Sequence, residues 1–142
     1  MKTWLIALTV AASLGAADLD SVKREPDLEK RCERALEVAA ETMAHARTLP
    51  GSGGSMSELQ KDLDATVAAV ELSLQSLRDT GKRPYKLARA YKRGEIRTRD
   101  LDKEIEGLIQ AIGFENRAAV EKARDKLVVL HEEYLLGVMS GK

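Results

Sequence analysis

The sequence predicts an all-α protein: an antiparallel up-down-up-down four-helix bundle following an N-terminal signal peptide. Three observations predict it. Helix-forming Ala, Leu, Glu, Lys and Arg are abundant, whereas Pro numbers three and the aromatics are only Trp4, Tyr85, Tyr91, Phe114 and Tyr134. Four stretches carry apolar residues at alternating steps of four and three, the period of a helix with one buried face. Short joints rich in Gly or Pro separate those stretches, which sets consecutive helices antiparallel. A helical hairpin that dimerises is the competing arrangement, because the same steps suit packing between chains.

Residues 1–17 read as the signal peptide. Lys2 supplies a basic start, Trp4 to Leu14 is an apolar run, and Gly15-Ala16-Ala17 offers the small residues that cleavage after Ala17 needs. The run is shorter than the roughly 20 apolar residues of a membrane span, and no second such run follows. The expected product is secreted or periplasmic, with no transmembrane helix in the mature chain. Residues 18–26 read as a polar lead-in without periodicity.

The bundle is expected over residues 27–142, with helices at about 27–49, 56–80, 84–112 and 115–140. Pro26 and Asp27 suit a helix start. The first stripe is Leu28, Cys32, Ala35, Ala39, Thr42, Ala46 and Leu49, widened by Leu36 and Met43; Pro50 and the flexible run Gly51 to Ser55 end it. Ser55 or Ser57 caps the second helix, whose stripe is Leu59, Leu63, Val67, Val70, Leu74 and Leu77, with Gly81 as its stop. The third stripe is Leu87, Tyr91, Gly94, Thr98, Leu101, Ile105, Leu108 and Ile112. Gly94 is its weak point, at a cost of ~1 kcal/mol against Ala, which leaves Lys82 to Ala90 open between helix and an irregular stretch with the regular helix beginning near Tyr91. The fourth stripe is Val120, Ala123, Leu127, Leu130, Tyr134 and Val138.

Composition excludes several kinds of chemistry. One cysteine makes neither a disulfide framework nor a multi-cysteine zinc module. Cys32 lies in the first stripe, where a buried thiol is unreactive. No Gly-x-Ser-x-Gly motif and no phosphate-cradling glycine loop occurs, so no catalytic constellation is found and the expectation is a protein that is not an enzyme. Without Cys-x-x-Cys-His there is no covalent haem. Met43 and His131, the ligand types of exported b-type cytochrome bundles, fall roughly 11 Å out of register. No cofactor is expected. The alternative is a metal- or small-ligand-binding bundle using Glu41, His45, His131 and Glu132, on the premise that the first and last helices are neighbours. Its spacing departs from the Glu-x-x-His pattern of di-iron bundles.

The charge map is more informative than the total, which is zero. Residues 18–77 carry net −5, residues 78–99 net +7 and residues 100–142 net −3. The basic island contains Lys82, Arg83, Lys86, Arg89, Lys92, Arg93 and Arg97. On a helix, Lys82, Lys86, Arg89 and Arg93 share a face. An acidic ladder, Glu29, Glu33, Glu37 and Glu41, would neutralise it, but in a simple square the first and third helices are diagonal. The island is therefore expected to be a binding or adaptor surface for an anionic envelope component or an acidic protein surface, in a monomer or homodimer. A neutral exported chain without a helix-turn-helix or stacking platform is not expected to bind nucleic acid.

Overall fold

A computed structural model describes residues 14–141. Most of the expected signal peptide lies outside them. The described chain is all-helical, with no strand. Its α-helices are α1 (Leu14–Lys23), α2 (Leu28–Ser52), α3 (Met56–Asp79), α4 (Ala88–Ala111) and α5 (Arg117–Met139). A 3₁₀ turn at Pro84–Leu87 leads into α4 and another at Phe114–Asn116 into α5. None of these helices is long and apolar enough to cross a membrane.

The local chemistry explains the boundaries. Asp27 caps α2 by accepting from the Lys30 N–H at 3.1 Å, and Ser55 caps α3 by accepting from the Glu58 N–H at 3.1 Å. Pro50 does not end α2: it sits in the last turn and the helix runs on to Ser52. Its fixed φ is compatible with the helix, which continues past it at the cost of the one hydrogen bond its missing N–H would have made. The glycine run is not a flexible linker either. Gly53 adopts φ 75° and Gly54 donates to the Leu49 carbonyl at 2.9 Å, a Schellman-type stop. Gly81, at φ 70°, ends α3 as expected.

All the stripe residues are buried except Leu28 and Val138, which are partly so. At the centre stands Tyr134, fully buried, its hydroxyl 2.6 Å from Ser73 Oγ of α3 and 3.6 Å from Cys32 Sγ of α2. Tyr134 also packs edge-on against Tyr91 of α4, with centroids 5.9 Å apart. One side chain on α5 thus ties together the other three long helices.

Two further expectations are corrected. Residues 18–26 are not an aperiodic lead-in: α1 occupies most of them, and Leu19 and Val22 enter the core. Arg31 donates to the Glu25 carbonyl, at 2.8 and 2.6 Å, and Arg34 pairs with the Glu25 carboxylate at 3.2 Å, pinning the turn between α1 and α2.

The second correction concerns neighbours. The pairs α2–α3 and α4–α5 form antiparallel hairpins, and the hairpins stack with α2 beside α4 and α3 beside α5. Arg93–Glu33 and Arg47–Glu104 link α2 to α4 in parallel, as Arg78–Glu133 links α3 to α5. The first and last long helices, expected as neighbours, lie across the diagonal; the first and third, expected across it, touch. Stripe periodicity places a face inward without naming the adjacent helix, so sequence order alone does not decide between the two squares.

Candidate functional site

The basic island gathers at one end of the molecule. Arg78 closes α3, Gly81 turns the chain, and Pro84 takes the first position of the 3₁₀ turn, where its lost N–H has no helical partner. Leu87 is buried and anchors that turn, leaving Tyr85 and Lys86 exposed. Lys86 Nζ lies 5.4 Å from the Tyr85 ring centroid. The first three turns of α4 then present Arg89, Lys92, Arg93 and Arg97 to solvent.

Four island cations have carboxylate partners. Arg93 meets Glu33 at 2.9 Å, Lys92 and Arg99 meet Glu95 at 3.2 and 3.6 Å, and Arg78 meets Glu133 at 3.2 Å. The acidic ladder therefore does reach the island, because α2 and α4 are adjacent. Glu29, Glu33 and Glu37 climb α2 in the same steps of four as Arg89, Arg93 and Arg97 on α4, yet only the middle rung closes. Among the described residues, Lys82, Arg83, Lys86, Arg89 and Arg97 have no carboxylate within 4.0 Å. Arg89 stands in the first turn of α4, which contains no acidic residue and no side-chain cap. A helix N-terminus favours anions, so cations there cost roughly 0.3–1 kcal/mol each. Local helix energetics do not explain them.

Two depressions border these cations. One is lined by Arg89, Lys92, Arg93, Ile96 and Arg97. The other runs between the α3–α4 connection and the end of α5, with Arg78, Lys82, Pro84 and Leu136 on its walls.

The four residues of the metal-binding alternative do not meet. His45 is exposed on α2 and pairs with Asp62 of α3, while His131 sits on the diagonal helix between Glu95 and Asp102 of α4. Glu41 and Glu132 are exposed. Among the described residues no group of three or more His, Cys, Asp or Glu is arranged to hold a metal ion. Met43 is fully buried on α2, likewise across the diagonal from His131.

Sequence reasoning missed the acid cluster around His131. Its Nε2 lies 3.5 Å from Glu95 Oε1 and its Nδ1 3.6 Å from Asp102 Oδ2. Burial alone would push the Glu95 carboxyl up, but Lys92, His131 and Arg99 around it hold it below its ordinary value. Asp102 goes the other way. Burial pushes it up to about 6, His131 opposing and the charges of Glu106 and Glu132 reinforcing the rise, and its Oδ1 has no hydrogen-bond partner. The available signal is a Glu at an inward step beside Gly94 and Thr98. Cys32 is buried as expected, and burial pushes its thiol up to about 11.

No family model, no curated protein and no solved structure matches this chain.

Proposed function

We propose that the protein is an exported, non-enzymatic four-helix bundle that docks an anionic envelope component through the cationic end of α4. The observation that carries this reading is the set of five exposed cations, Lys82, Arg83, Lys86, Arg89 and Arg97, that have no carboxylate partner among the described residues and lie within sixteen residues of a chain whose total charge is zero. Internal neutralisation accounts for Arg78, Lys92, Arg93 and Arg99 but not for these five. Export rests on the pattern of residues 1–17, with cleavage after Ala17 leaving a mature chain that retains Leu19 and Val22.

Retention at neutral pH on a phosphate-bearing matrix tests the reading. The chain should bind at low ionic strength and elute steeply as salt rises, since the Debye length falls from ~10 Å at 0.1 M to ~3 Å at 1 M. Passage through the matrix at low salt would contradict it.

A further inference from the structure

At the end of the molecule that carries the unpaired cations, the described residues also expose apolar side chains. Leu136 is 65 % and Met139 71 % exposed, on the last turns of α5, and Tyr85 is 40 % exposed on the 3₁₀ turn that packs beside α5. Leu136 shares a groove with Lys82 and Pro84. Among the described carboxylates of the adjoining turns, Glu133 pairs with Arg78 and Asp79 accepts from the Gln75 amide at 2.7 Å, while Glu132, one turn before Leu136, is exposed. Glu25, Asp27 and Glu29 stand on the α1–α2 corner of the same end, with Lys23, Arg24 and Lys30 among them.

We propose that this corner is a lipid-docking surface, seating Leu136, Met139 and Tyr85 in the headgroup region of an anionic bilayer while Lys82, Arg83, Lys86 and Arg89 engage its phosphates. The inference rests on the docking function proposed above and names the occupant. Charge alone fits any polyanion; it is the apolar set that selects a bilayer. A hydrated phosphate polymer offers Leu136 and Met139 nothing, whereas the acyl boundary removes them from water. Tyrosine favours the same boundary, its ring buried and its hydroxyl wet. Lysine and arginine stems lie along apolar surface with their heads at the phosphates, and each such cation contributes roughly a fivefold factor in affinity for an anionic leaflet. The α4 N-terminus, aimed at the same end, adds positive potential.

Co-sedimentation with vesicles tests the proposal, using the chain from Asp18 onward, which retains every described core residue. Vesicles of phosphatidylglycerol and phosphatidylcholine should carry the protein down and pure phosphatidylcholine vesicles should not. The double variant L136S/M139S should bind the anionic vesicles at least about tenfold more weakly, while its retention on the phosphate matrix stays unchanged. The triple variant K82E/R83E/K86E should lose both. Circular dichroism confirms that each variant remains helical, as substitutions at exposed positions predict. If the wild type is held by the matrix but ignores anionic vesicles, or if L136S/M139S binds vesicles as tightly as the wild type, the bilayer is the wrong occupant and charge-mediated docking stands. If the wild type is held by neither, both readings fall.

Discussion

At the α4–α5 contact, two glycines face two tyrosines in a reciprocal arrangement. A Cβ on Gly94 would collide with the Tyr134 ring and one on Gly137 with the Tyr91 ring, while the two rings meet edge to face at 65°. Both helices therefore carry the same Tyr-x-x-Gly step, and each glycine makes room for the other helix's ring. Mid-helix glycine is usually a liability of ~1 kcal/mol. Here the sign reverses: Gly94→Ala and Gly137→Ala should each destabilise by about 1–3 kcal/mol through overpacking against buried rings. Gly107 is the control, since nothing lies within 4 Å of the Cβ it lacks. Gly107→Ala should stabilise by roughly 0.5–1 kcal/mol, and denaturant midpoints for the three variants decide the matter.

Asp102 makes a second prediction at this scale. Its carboxyl is pushed from 3.8 to about 6 in the folded state, so folding favours the protonated form. That contribution is complete below about pH 4 and is lost as the pH rises through about 6. Asp102→Asn should match the wild type near pH 4 and exceed it by about 2–3 kcal/mol near pH 8. Equal stability at both pH values would refute the assignment.

Among the elements, the long helices were legible and the short one was not. Each long stripe repeats its step over five or more turns, and a repeated step survives the noise of single residues. From Asp18 onward, α1 offers only Leu19 and Val22, three apart among charged neighbours, too few to register as a period. What makes α1 part of the fold is tertiary: two buried side chains and the two arginines that grip Glu25. Val22→Ala should therefore cost about 1.5 kcal/mol, whereas exposed Asp20→Ala should stay within about 0.5 kcal/mol, both read from unfolding in urea. The pairing of hairpins was illegible for a different reason. Ion pairs such as Arg93–Glu33 look alike in sequence whether their helices are adjacent or diagonal. Buried Ser73, Ser76 and Thr66 were also hidden, since their hydroxyls return to carbonyls of their own helices.

For the whole molecule, the island was legible as charge and only half legible as a site. Composition located nine basic groups in residues 78–99, but the partition into neutralised and unneutralised cations follows from which helix lies beside α4. That partition gives the account its central claim: the cations serve two purposes, and the two sets should separate in one measurement. Melting temperature and retention on a phosphate matrix are to be measured together for Arg93→Glu and for K82E/R83E/K86E. Losing the exposed Arg93–Glu33 pair should cost about 0.5–1 kcal/mol, or roughly 1–4 °C for a domain of this size, and leave most of the retention. The triple reversal should abolish retention with the melting temperature nearly unchanged. If the triple variant instead melts several degrees lower and still binds, Lys82, Arg83 and Lys86 are structural and the docking surface does not exist.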